Sequence, residues 1–329
     1  MNWKMHSLVN SLVKWIKSRW FIYPVLVILI YPMGQNEVFS MVRMNGFVID
    51  KPLIPANEIY QGGPPRDGIP SIDEPYFIKA DQAKFLKAED RVLGLNFKGV
   101  SKAYSIRILN YHELVNDNFN QHPVVVSFCP LCGTGMAFDA LKAGKTLEFG
   151  VSGLLYNSDL LMYDRQSNSL WSQIEGKAIS GPAKGTLLER LAVEHTTWKD
   201  WKARHPKTLV LSNETGFWRD YTHSPYPSYS KKEALYFPVA HTDKRYHPKE
   251  VIVGVEFDGK VKAYPFTELS KGVGVLEDVF AGRKLRVEYN AAARSAKVKN
   301  EKGELIPSLT AFWFAWIAFH PETDVYKAP

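Results

Sequence analysis

Apolar residues along this chain fall into short runs separated by glycine, proline and polar turns, a pattern that predicts a strand-rich fold. The run Val124, Val125, Val126, Phe128 reads as a buried strand, and Pro130, Gly133 and Gly135 force a tight turn directly after it. Residues 147–153 and 160–164 read as two further strands joined by Tyr156-Asn157-Ser158-Asp159, with a polar turn over 164–169 leading to Leu170 and Trp171. If residues 136–139, 147–153 and 160–164 pair in succession, the Pro130 turn and the Asp159 turn share one end of a sheet. Helical periodicity is sparse. Residues 81–89 predict a short amphipathic helix, and Thr196 or Thr197 caps a second over Trp198–Arg204 that stops before His205-Pro206. Residues 218–249 are irregular and carry His223, His241 and His247, and a loop of that length inside a domain is often functional. The eleven apolar residues 309–319 are too few to span a bilayer and predict a buried core element.

One segment occurs twice. VLGLNFKGVSKAY (92–104) aligns with IVGVEFDGKVKAY (252–264), each a hairpin turning at Lys98-Gly99 or Asp258-Gly259. The likeness continues with one insertion, so that Asp117 meets Asp278 and Phe128 meets Tyr289. These segments, 92–138 and 252–299, predict a β-rich α+β body of two pseudo-symmetric halves packed together, with residues 42–329 as one domain. In that alignment Cys129 faces Asn290 and Cys132 faces Ala293, so the thiols are peculiar to the first copy.

The N-terminus has the pattern of a targeting element. Lys4, Lys14, Lys17 and Arg19 precede an apolar run at 20–33, and no alanine occurs before Ala56 to complete a cleavage site. Residues 1–41 therefore read as a cytoplasmic stub with a signal anchor, or alternatively as a cleaved signal peptide; the anchor makes the membrane a partner. The globular body is expected on the periplasmic side of the inner membrane. The net charge of +7 has no dense basic block, which argues against nucleic acid as a partner. Aromatic residues make up 13% of the chain, enough to line a small-molecule cleft as well as fill a core.

The chemistry centres on Cys129 and Cys132, the only cysteines, spaced C-P-L-C. Three uses fit that spacing. A metal knuckle holding zinc or iron needs further ligands, for which His112 is the nearest candidate. A redox dithiol needs no cofactor. In the third use the pair is a structural disulfide in a non-catalytic ligand-binding module, with Trp171, Trp198 and Trp218 as the binding aromatics. The expected site joins Cys129, Cys132, Asp159 and Arg165 as reacting groups to His112, Glu113, Asn157 and Trp171 as a binding shell.

Four motifs in order carry a resemblance: FCPLCGTGMAF (128–138), FGVSGLLYNSDLLMYDRQSNSLWSQ (149–173), TTWKDWKARHPKTLVLS (196–212) and FWFAWIAFHP (312–321). Together they resemble the bacterial DUF3179 family, from about residue 70 to the C-terminus. The resemblance implies an exported or membrane-attached protein and no established activity.

Overall fold

The computed structural model describes residues 42–329 apart from Val273. The signal-anchor assignment at 1–41 lies outside the described residues, and no helix among them is long and apolar enough to cross a membrane. These residues fold as a five-bladed β-propeller, 43% of them in strands and 11% in helices. This corrects the expected α+β body of two halves.

Each blade is one sheet. The first has the strand order Val193–Thr197, Arg91–Phe97, Val100–Ser105, Leu209–Leu211 and Phe77–Lys79. The second runs Arg190–Leu191, Thr134–Asp139, His122–Cys129, Leu114–Phe119. The third runs Lys177–Ser180, Leu170–Ser172, Asp159–Asp164, Phe149–Tyr156, Ile59–Gln61. Leu309–Phe312, Val251–Phe257, Lys260–Pro265 and Asp324–Val325 make the fourth, and Val275–Phe280, Arg283–Asn290 and Ser295–Asn300 the fifth. The matched segments account for strands in the first, second, fourth and fifth blades. Residues 149–180 add the third, and a ring of five sheets replaces a pairing of two halves.

Two-residue turns supply the strong twist that a blade needs. Lys98-Gly99 (φ 48° and 77°), Asp258-Gly259 (51° and 76°) and Asn157-Ser158 (53° and 64°) are all left-handed at both positions, the geometry that matches twisted antiparallel strands. The matched segments also share their interior contacts. Lys102 Nζ and the Tyr104 hydroxyl both donate to Asp117, and Lys262 Nζ and the Tyr264 hydroxyl both donate to Asp278. Trp201 packs flat on Gly94 and donates to Thr208 Oγ1, while Trp316 packs on Gly254 and donates to Thr323 Oγ1.

Two local expectations are also corrected. Residues 81–89 form turns rather than a helix, because side chains capture the backbone amides: Lys79 N–H donates to Gln82 Oε1 and Lys87 N–H to Asp90 Oδ2. Thr134–Asp139 pairs with His122–Cys129 and Arg190–Leu191, not with Phe149–Tyr156, which lies in the next blade. Asn116 joins those two blades, its side chain donating to the Phe149 carbonyl at 2.8 Å and accepting from the Phe149 amide at 2.9 Å. The helix over Trp198–Arg204 forms with Thr197 as its cap, and residues 309–319 become a strand followed by the buried helix Trp313–Phe319.

Candidate functional site

Cys129 ends the buried strand His122–Cys129 and pairs with Thr134, so Cys132 sits in the four-residue connection between them. Gly133 takes φ 65°, and a Cβ there would come within 3.1 Å of the Phe312 ring. The Phe312 amide donates to the Cys132 carbonyl at 2.8 Å and fixes the turn against the fourth blade. Both cysteines are free and almost fully buried.

The third blade brings its hairpin turn to the same point. The Cys132 thiol donates to the Ser158 carbonyl at 3.3 Å, and the Cys129 sulfur lies 3.9 Å from that oxygen. Asp159, 1% exposed, follows directly. One of its carboxylate oxygens and the two sulfurs lie within 4.8 Å of one another. Its Oδ2 accepts from the Ile174 amide at 3.1 Å, and Oδ1 has no hydrogen-bond partner among the described residues.

Glu113 approaches from the second blade's leading helix, Ile106–His112. It occupies φ 58°, a conformation that costs a non-glycine residue about 1 kcal/mol or more. Its backbone is held from both sides, the N–H donating to the Leu109 carbonyl and the C=O accepting from the Phe128 amide at 2.7 Å. Burial pushes the Asp159 carboxyl up to about 7, opposed first by the hydrogen bond from the Ile174 amide. Burial and then repulsion from Asp159 push Glu113 up to about 8. Burial raises both thiols as well, Cys132 the more, with repulsion from Cys129 and Asp159 adding to it.

The irregular segment covers this cluster. Tyr229 is buried against the thiols, its hydroxyl unpartnered among the described residues. Lys249 lies 4.2 Å from the centre of the Tyr229 ring and donates to the Lys232 and Ala234 carbonyls. Burial pushes its ammonium down to about 8, and nearby Cys132 opposes that shift. Tyr226, Tyr229 and Lys249 line a cleft of about 660 Å³ together with Phe128, Pro130 and Gly133 of the cysteine turn.

A family described as "Protein of unknown function (DUF3179)" matches residues 66–304, most of the chain. The chain belongs to the DUF3179 family. No curated protein and no solved structure matches it.

Of the residues singled out in this DUF3179 chain, the fold brings Cys129, Cys132, Asp159 and Glu113 together. The others are engaged elsewhere. His112 donates from Nδ1 to the Pro70 carbonyl at 2.8 Å, and burial keeps the ring neutral, so Nε2 accepts from the Tyr221 hydroxyl at 2.6 Å. Asn157 donates to the Ala318 carbonyl and accepts from the Ala240 amide, tying the hairpin turn to the fourth blade and the covering segment. Trp171 donates to Asp164 at 2.8 Å, and Arg165 pairs with Asp73 at 3.0 Å. Sequence reasoning did not single out Arg91, His195, Lys249 and Arg294, the polar groups of the cleft. The only early signal for any of them was the length of the irregular segment, which Lys249 ends.

Proposed function

We propose that Cys129 and Cys132 form a redox dithiol served by Asp159, acting on a small-molecule disulfide that reaches them through the cleft. The observation that carries this reading is the Asp159 carboxylate, which lies within 4.8 Å of both free sulfurs and is held near neutrality by burial. A carboxylate that titrates near pH 7 can take a thiol proton and return it. Cys129 is the attacking sulfur, because burial raises its thiol less than that of Cys132 and the Cys132 backbone amide favours its thiolate.

In the step proposed, the Cys129 thiolate attacks one sulfur of the reactant. The reactant S–S bond breaks and the departing thiolate takes a proton. Cys132 then attacks the Cys129 sulfur, and the second reactant thiolate leaves. The protein dithiol is oxidised by two electrons to a disulfide, the reactant is reduced to two thiols, and the two cysteine protons pass by way of Asp159 to the products.

A metal-binding use is the second reading, favoured by the same three donors. Cys129, Cys132 and Asp159 would supply three of the four groups that zinc takes in a closed site, and His112 is not among them. We also infer that the body stands on the periplasmic side of the inner membrane. The basic residues ahead of the apolar run at 20–33 support this, and such a compartment favours thiol oxidation.

The test is to equilibrate the purified chain in glutathione buffers, then count free thiols and metal. Reversible loss of both thiols in a single two-electron transition, with an intramolecular disulfide on Cys129 and Cys132, is expected. Stoichiometric zinc or iron that blocks this oxidation would replace the dithiol reading with the metal one. Thiols that stay reduced in every buffer without metal would overturn both.

A further inference from the structure

The cleft beside the cysteine turn has a second wall. In the fifth blade, Asn290 pairs with Ser295 as Cys129 pairs with Thr134 in the second, and both connections line the same cavity. The sequence alignment sets Arg294 opposite Gly133. Both residues take left-handed backbone, φ 46° for Arg294 and 65° for Gly133. A long cationic side chain thus occupies a position where the matching turn has glycine, and strain retained at such a position points to a use.

Arg294 has company. Arg91 reaches the cavity from the first blade, donating to the Ala293 carbonyl at 2.5 Å and the His195 carbonyl at 2.7 Å. Neither arginine makes an ion pair among the described residues. Lys249 completes the cations, with two of its N–H groups already on carbonyls. His195 presents a buried Nδ1 without a hydrogen-bond partner among the described residues. Against these stands one lining acid, Glu250, whose Oε1 accepts from the Thr267 amide. A cavity of about 660 Å³ with unpaired guanidinium groups and a deficit of acid suits an anion, because planar N–H forks bind carboxylate and phosphate oxygens in pairs.

We propose that this cleft is an oxyanion site, in which Arg91 and Arg294 hold a carboxylate or phosphate group of a small molecule whose other end reaches Cys129. Only the last clause rests on the dithiol reading. The substrate class becomes an acidic disulfide, gripped by the thiol-free turn while the thiol-bearing turn reacts with it.

Two measurements on the full chain test this. The first is the rate at which Cys129 is alkylated by iodoacetate and by neutral iodoacetamide, iodide leaving in each case. A free thiol reacts more slowly with the anion. In the native chain iodoacetate should gain on iodoacetamide by about tenfold relative to the unfolded chain, and Arg294→Gly should abolish the gain without slowing iodoacetamide. That substitution suits the left-handed backbone, so the fold is retained. The second is calorimetric titration with inorganic phosphate and, separately, with succinate. One saturable site, weakened about tenfold in Arg294→Gly and by added salt, is expected; the tighter of the two ligands identifies the oxyanion. An iodoacetate ratio equal to that of the unfolded chain would overturn the inference, as would titrations without saturable binding of either ion. Failure of both reagents to label Cys129 while phosphate or succinate still binds would sink the dithiol reading and leave the oxyanion site standing.

Discussion

A carboxylate oxygen of Asp159 lies within 4.8 Å of the Cys129 sulfur, although the two residues belong to different blades. The meeting is made by two turns, one closing a hairpin in the third blade and one ending the central strand of the second. Blade packing, locked by Asn116 on Phe149, brings them together.

The first prediction concerns pH. Asp159 and Glu113 keep their protons to about 7 and about 8 in the folded chain, well above ordinary carboxyl values, so between roughly pH 4 and pH 8 these two groups bind more protons folded than unfolded. Below roughly pH 6.5 they are opposed by His112, His195 and His320, which burial holds below the ordinary imidazole value, so the fall in stability is expected above that pH. For Asp159 alone the loss is about 4 kcal/mol at most. Urea midpoints should decline from about pH 6.5 to pH 8, and Asp159→Asn should lessen the decline. A midpoint that rises steadily over this range would contradict the burial of both acids.

The second prediction separates the roles of the two sulfurs. With Cys132→Ser, Cys129 still attacks but no second thiol releases the reactant. Incubation with oxidised glutathione should then leave one glutathione attached at Cys129, read as an intact-mass increase and reversed by reductant. Cys129→Ser should bind none, since burial raises the remaining thiol further and its proton is held on the Ser158 carbonyl. Equal trapping by the two variants would remove the assigned order of attack.

How much of this was legible in the sequence depends on how local each feature is. The cysteine turn, the Asn157-Ser158 hairpin and the cap at Thr197 follow from a few neighbouring residues and were readable. Asp159 could be set beside the cysteines by topological argument, although the strand pairing behind that argument differs in the structure. The propeller was not readable, because closure depends on how sheets pack. The first blade alone collects strands from residues 77–79, 91–105 and 193–211. His112 looked like a ligand because it precedes the cysteine strand. Its partner Tyr221 comes from 109 residues further on, and no local pattern shows that pairing. Arg294 was hidden in the same way, being matched to a glycine and aimed at a cleft built from several blades.

The third prediction tests the packing that the matched segments share. A Cβ at Gly94 would collide with the Trp201 ring, whose Nε1 is fixed on Thr208 and which cannot swing aside. Gly94→Ala should destabilise the fold by about 3 kcal/mol. Gly254→Ala should cost a similar amount against Trp316, whose Nε1 is fixed on Thr323. Chemical denaturation with an unchanged m-value measures both. A loss below about 0.5 kcal/mol, the scale of ordinary surface substitutions, would show that the rings are free to move.

The last prediction turns on one oxygen. The Tyr229 hydroxyl is buried beside Cys132 and under the Lys249 ammonium, close to the Tyr236 backbone but without a hydrogen bond of ordinary geometry among the described residues. A buried hydroxyl left unsatisfied costs roughly 1–3 kcal/mol, so a purely structural residue at this position would be better as phenylalanine. Tyr229→Phe should therefore raise stability by about 1 kcal/mol, because the ring and its contact with Lys249 are kept. If the hydroxyl serves the dithiol, holding the thiolate or a bound reactant, the same substitution should also shift the glutathione midpoint of the Cys129–Cys132 pair. The stability gain and the redox shift are read on one variant, and they separate cleanly. A gain without a shift would make Tyr229 a packing residue. Lower stability would mean that the hydroxyl has a partner in solution, which would contradict its isolation in the fold.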